Sequence, residues 1–335
     1  MDLSNQQPAT SPTNASDVRG LPIAVVDIGS NSVRLVINDG VTDVVRKAVV
    51  TRLGRSMTTV GSREAGSGAL SHAALDETFA CFATYADDMR AYGVERCDVF
   101  ATAAARNASN AHLLTEGAEA LLGHPLRILT GLEEAGLAWI GATSWAQPRV
   151  TAFGEPAYDL VIDIGGSSTE FIVGKPGSAP EALHSLDVGC VSITDQFLHN
   201  DPPGPIALSS AIGVVRSHLD DVAREIPLIA KADGLIGIAG SITTVAAIEI
   251  GLKVWDPARV HRFALSRAAV EDVFRTVATE SAVDRSANPG LAADRVGTIV
   301  GGALILASIM RHFEFDALTV SVTDNLDAAI ARLRG

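Results

Sequence analysis

Apolar and polar positions follow two rhythms along this chain. In LPIAVVDIGSNSVRLVINDG (21–40) two apolar runs, 21–26 and 33–38, flank Asp-Ile-Gly-Ser-Asn-Ser, which predicts strand, tight turn and strand. More strand and loop follow through Leu53, then a Gly/Ser-rich stretch at 61–68. From Ser71 to Tyr92 the rhythm changes: Leu75, Phe79, Phe82, Tyr85 and Met89 recur every three or four residues, predicting an amphipathic helix that stops at Gly93. CDVFAT (97–102) then reads as a strand, 107–123 as a helix closed by glycine, 126–130 as a strand and 131–145 as a helix. Such alternation predicts an α/β fold with a largely parallel sheet component. The aperiodic stretch 146–159 predicts a surface loop.

The opening pattern then returns. In LVIDIGGSSTEFIVG (160–174), Asp163-Ile164-Gly165 aligns without a gap on Asp27-Ile28-Gly29, Ser168 on Ser32, and Phe171-Ile172-Val173 on Leu35-Val36-Ile37. Two copies are too few for a solenoid and predict two related lobes facing each other. Further on, a strand at 234–240 runs into a helix, helices follow at 267–279 and 296–310, then a strand at 317–322 and a helix at 325–334. The expected division is a disordered tail at 1–20, lobe I at 21–131 completed by about 318–335, and lobe II at 132–317. A length of 335 residues suits two domains.

Composition narrows the function. With 47% hydrophobic and 19% charged residues, most of the chain is expected to be ordered. The formal net charge of −13 argues against a nucleic-acid binder or an electrostatic membrane-surface protein, since both need a basic face. Cys81, Cys97 and Cys190 form no CxxC pair, and the scattered histidines give no zinc spacing. The polar start lacks a secretory apolar segment, and Val296–Met310 is too short to span a bilayer, so a cytoplasmic protein is expected.

The paired turns carry the chemistry. Alone, Asp-x-Gly-x-x-Ser is an ordinary hairpin. Repeated after matching strands, it suits a clamp in which backbone amides hold a phosphate and Asp27 and Asp163 hold a divalent ion or a water. The loop Gly240-Ser241-Ile242-Thr243-Thr244 enters a helix start, as either a simple cap or a third anion contact. Glu133 and Glu134 open a helix, where the macrodipole favours acids, but either would also serve to activate a water. Arg52, Arg55 and Arg106 read as surface residues by default, whereas Arg34, two positions past Ser32, is a candidate phosphate ligand.

These residues carry a resemblance. Asp27-Ile-Gly-Ser-Asn-Ser-Val-Arg34-Leu, TRLG (51–54), ATAAARNASN (101–110), GLEEAGL (131–137), DIGGSSTE (163–170) and AGSITT (239–244), in this order, resemble the exopolyphosphatase and guanosine-pentaphosphate phosphatase family, as does RVGTIVGGALILASIM (295–310). The resemblance implies two ribonuclease-H-like lobes of the actin/hexokinase/Hsp70 type around a cleft. It implies a cytoplasmic homodimer that removes terminal phosphate from polyphosphate or pppGpp with Mg²⁺ or Mn²⁺. Glu134 would be the general base, Asp163 would assist metal or water, and Asp27 would lie opposite. Gly29, Ser30, Asn31, Ser32, Gly165, Gly166, Ser167 and Ser168 would cradle phosphoryl oxygens, with Arg106 on a phosphate of the chain.

Two departures stand out. Ser167 replaces a family glycine, which is expected to strain the turn by about 1 kcal/mol if the position needs a left-handed backbone. SVTDNLDAAI (321–330) replaces the family's Gly-Leu-Arg-Glu-Gly. A weakly catalytic polyphosphate or (p)ppGpp sensor, and a kinase of the same superfamily, are the alternatives. The acidic balance predicts short polyphosphates as better substrates than long ones.

Overall fold

The computed structural model describes residues 20–54 and 68–335. The tail expected at 1–20, apart from Gly20, lies outside the described residues, as do Arg55 and the Gly/Ser-rich stretch up to residue 67. The predicted opening hairpin is β1 (Ile23–Ile28) and β2 (Ser32–Asn38), extended by β3 (Asp43–Val50). α1 (His72–Ala91) follows, capped by Ser71 Oγ, which accepts from the Ala74 amide. Its predicted apolar face is buried through Leu75, Phe82, Tyr85 and Met89. Next come β4 (Arg96–Ala101), the single turn α2 (Ala103–Arg106), α3 (Ala111–Leu122), β5 (Leu126–Ile128) and α4 (Gly131–Thr143).

The second half repeats the plan with β6 (Tyr158–Ile164), β7 (Thr169–Gly174), β8 (Pro180–Leu186), α5 (Cys190–Phe197), α6 (Pro205–Glu225), β9 (Ala232–Ile238) and α7 (Ala239–Ile250). It continues through α8 (Pro257–Val260), β10 (Ala264–Ser266), α9 (Arg267–Thr279), α10 (Ala282–Arg285), α11 (Ile299–His312), β11 (Ala317–Val320) and α12 (Asn325–Arg334). β8, α5 and α6 add to the predicted elements. α6 carries a periodic signal of its own, burying Ala211, Val215, Leu219 and Val222.

Two sheets result, ordered β3-β2-β1-β4-β5 and β10-β11-β9-β6-β7-β8. In each, a three-stranded antiparallel meander is joined through its first strand to two parallel strands. The duplication seen in the turns therefore extends to whole sheets, with β10 added at one edge. One large core packs around α11 and the second sheet, and another under α1, α3 and the first sheet.

The chain end divides later than expected. β11 pairs with β9 and so belongs to the second sheet, while α12 returns to pack on β1. α4 lies between the halves. Its Leu137 joins Val25, Phe100 and Leu326, whereas Ala135, Ala138 and Trp139 join Val161, Ile172 and Ile236. Gly141 lets the returning chain pass, since a Cβ there would sit 2.1 Å from the Asp324 carbonyl oxygen. Among the described residues no helix is long and apolar enough to cross a membrane.

Candidate active site

Both Asp-Ile-Gly turns close in the same way: Gly29 N donates to Ser32 O at 3.0 Å, and Gly165 N to Ser168 O at 3.0 Å. Their carbonyls are then tied outward. Thr51 and Arg52 amides donate to Asn31 O and the Gly54 amide to Ser30 O; opposite, the Cys190 amide donates to Gly165 O and the Val191 amide to Gly166 O. The amides of Ser30, Asn31, Gly166 and Ser167 make no hydrogen bond among the described residues. Ser30, Asn31 and Gly166 line one cavity from both turns, an arrangement that suits an anion, whereas the Ser167 amide lies toward Gly189. The turns also touch. A Cβ on Gly166 would lie 3.2 Å from Ser30 Cβ, and one on Gly54 2.8 Å from Ser167 Oγ.

Acids line the cleft floor. Asp27, Glu134, Asp163 and Glu170 are all buried, and all four line one cavity with Gly29, Ser30, Asn31, Ser32, Arg34, Gly165, Gly166, Ser168 and Gly240. Burial raises the Asp163 carboxyl to about 7, helped by the neighbouring Glu134 charge. Glu170 is held well above the carboxylate range by burial and by Glu134 and Asp163, although the Ser185 hydroxyl donates to it at 2.9 Å. Glu134 is raised by burial and held back by Arg106, whose Nη1 donates to Oε2 at 2.9 Å. Asp27 is raised by burial, with Arg34 opposing.

The two adjacent glutamates separate cleanly. Glu133 stays on the surface and completes a capping box with Thr130 at the start of α4, so the capping account holds for it. Glu134 turns inward. Arg34 pairs with Asp27 and with Asp324, which comes from the far end of the chain. Arg106 is engaged by Glu134 and by the Leu129 carbonyl and does not line the cavity. Ser167 faces Gly54, and Ser241 lies buried with its Oγ 2.7 Å from where a Gly302 Cβ would stand; neither lines the cavity. Ser167 also departs from expectation in its backbone. The described non-glycine residues with positive φ are Arg52, Ala239, Arg262 and Glu314, so the serine introduces no left-handed strain.

The cavity also holds Thr102, Glu170, Cys190, Ala239, Arg295 and Asn325, which the motif reading passed over. Glu170 and Arg295 lie inside the quoted segments 163–170 and 295–310. Arg295 rests on Gly240, where a Cβ would come within 2.5 Å of its guanidinium. Asp324 and Asn325 carry no local signal, since helix capping alone accounts for an Asp before a helix.

Six buried side-chain atoms among the described residues have no hydrogen-bond partner: Asp27 Oδ1, Asn31 Nδ2 and Oδ1, Thr51 Oγ1, Ser167 Oγ and Asn325 Oδ1. All belong to the turns or to residues bonded or facing them. Orphaned buried groups are scarce in folded proteins, and those of Asp27, Asn31 and Asn325 belong to residues that line the cavity.

Comparison with known proteins agrees with this geometry. Residues 36–323 match the model of the Ppx/GppA phosphatase family. The chain belongs to this family. Exopolyphosphatase 2 of Mycobacterium tuberculosis strain H37Rv is 30% identical over 330 residues, covering 93% of this chain and 98% of that protein. A guanosine-5'-triphosphate,3'-diphosphate pyrophosphatase of Aeromonas salmonicida is 26% identical over 298 residues, 89% of this chain but 56% of that protein. A solved structure of the Aquifex aeolicus PPX-GPPA enzyme superposes with a TM-score of 0.72 at 27% identity, covering 93% of this chain and 99% of that chain. As a Ppx/GppA phosphatase the protein is a hydrolase of the two-lobed actin-like fold, and its orphaned atoms lie where the lobes meet.

Proposed function

We propose that the protein is an exopolyphosphatase that removes terminal phosphate from short inorganic polyphosphate. The observation that carries this reading is the pair of facing turns, with free amides and orphaned polar atoms on both sides of a floor of buried acids. The higher identity to an exopolyphosphatase, 30% against 26% for the pyrophosphatase relative, favours polyphosphate over pppGpp.

In this reading Glu134 takes a proton from a water as the water oxygen attacks the terminal phosphorus. The bridging P–O bond breaks, and the shortened chain leaves with the bond's electron pair. Arg106 opposes the rise that burial imposes on Glu134, which still stands above the ordinary carboxylate range and is the more basic for it. The amides of Ser30, Asn31 and Gly166, which make no hydrogen bond among the described residues, would hold the phosphoryl oxygens, and such preorganised donors supply most of the catalysis in phosphoryl transfer.

The donor set suits Mg²⁺. This ion keeps several waters and takes one or two carboxylates plus substrate oxygens, which matches Asp27 Oδ1 and Asp163 better than a site built wholly of protein ligands. Among the described residues no group of three or more His, Cys, Asp or Glu surrounds a common metal position. When bound, the ion would supply positive charge against the crowded carboxylates and the phosphate.

The test is phosphate release, with Mg²⁺, from short polyphosphate, long polyphosphate, pppGpp and ATP side by side. Short polyphosphate is expected to be fastest. Turnover confined to pppGpp would reassign the substrate, and tight binding without any turnover would make the protein a sensor.

A further inference from the structure

Away from the cleft lies a second cavity, of about 480 Å³, which shares no lining residue with the first. It opens at the starting ends of β6 and β9, whereas Asp163 and Gly240 stand at or beyond their finishing ends. Gly234 and Ala317 keep its floor low, and Trp145, Arg149, Asp233 and Arg262 form its walls.

Three features mark it as a built site. Arg262 adopts a left-handed backbone with φ of 66°, a conformation costly for a residue with a long side chain. Its guanidinium lies 5.2 Å over the Trp145 ring, and among the described residues no carboxylate pairs with it. Trp145 is in turn fixed by an edge contact to His261 and by donating its indole N–H to Ser321 Oγ at 3.2 Å. Beside them, buried Asp159 holds Arg149 across Gly234, where a Cβ would come within 2.3 Å of the carboxylate. An unpaired cation lying over a fixed indole, both lining the cavity, offers one charge and one apolar aromatic wall together. Asp233 adds an acceptor on the same wall.

We propose that this cavity binds a nucleoside monophosphate. The phosphate meets Arg262, the base lies against Trp145, and Asp233 accepts from the amino or imino hydrogens of the base. This site is independent of the proposed polyphosphatase activity, because a monophosphate contains no phosphoanhydride bond.

Titration of the full chain with AMP, GMP, CMP and UMP, followed by calorimetry and tryptophan fluorescence, tests it. At least one monophosphate is expected to saturate a single site and quench Trp145, with its nucleoside and inorganic phosphate each binding at least tenfold more weakly. Arg262→Asn removes the cation while tolerating the left-handed backbone, and is expected to weaken binding at least tenfold with phosphate release from polyphosphate unchanged. Trp145→Phe is expected to abolish the quench. No saturable binding, or binding unaltered in Arg262→Asn, overturns the proposal.

Discussion

Arg106 and Glu134 are joined by a 2.9 Å hydrogen bond that fixes the proposed base from behind, on the side away from the cavity. The arginine sits on the single turn α2 and the glutamate on the first turn of α4, so two separate elements set the orientation of one carboxylate. Burial raises the Glu134 carboxyl above its ordinary range, and the guanidinium opposes that rise.

Glu134→Gln is therefore expected to lower kcat by about 10²- to 10⁴-fold while leaving substrate affinity largely intact. Arg106→Gln should retain more activity but move the acidic limb of the pH–rate profile to higher pH, because Glu134 then holds its proton more tightly. Full pH–rate profiles of both variants check this, and an unmoved limb in Arg106→Gln would remove the arginine from that role.

Asp163 carries the opposite cost. Its folded-state value, about 7, exceeds that of an unfolded Asp, so the native state binds the proton more tightly and loses stability as pH rises from about 4 to 7. Asp163→Asn should stabilise the metal-free protein at pH 8 by roughly 1–4 kcal/mol and have little effect near pH 4. Denaturant unfolding at the two pH values measures the difference.

Binding of Mg²⁺ requires these carboxylates in their charged form. Affinity should fall as pH drops below 7, with proton release on binding. Calorimetry in buffers of different ionisation enthalpy reads the released protons directly.

Contact between the turns is itself testable. Gly54→Ala places a Cβ 2.8 Å from Ser167 Oγ and 2.9 Å from Ser30 Cβ, and should cost about 1–3 kcal/mol of stability along with activity. Adding Ser167→Gly removes the first of these clashes and should restore part of both losses. A double-mutant cycle with no coupling would show that the two residues do not press on each other.

Chain-length dependence follows from charge. Arg34 is already neutralised by Asp27 and Asp324, and Arg46 by Asp43 and Asp327, so neither of these two arginines is free to grip a long polyanion. Rates per chain end should be higher for short polyphosphate than for long, and equal rates would contradict this.

Local features of the fold and site were legible; distant pairings were not. The Asp27 and Asp163 turns sit between apolar strand runs, and their two gapless copies point to the two related sheets. The α1 periodicity likewise reappears as buried Leu75, Phe82, Tyr85 and Met89. Asp324 reaches Arg34 across nearly the whole chain, and no local pattern marks such a pair. The last strand joins the other sheet from the one its position suggests for a related reason. A short apolar run specifies that a strand forms, but its partner, here β9, is chosen by tertiary packing. Ser167 shows the reverse error: a glycine in a relative need not mean a left-handed backbone, since here its neighbour Gly54 supplies the missing space.

α4 contributes side chains to the cores of both halves, with Leu137 on one side and Ala138 and Trp139 on the other. Any rotation of one half against the other must turn about this helix or shear across it. The helix is in effect an axle, and Glu134 rides on its first turn. Its position relative to either Asp-Ile-Gly turn is then set by how one helix is seated, and a small substitution on α4 is felt in both halves at once.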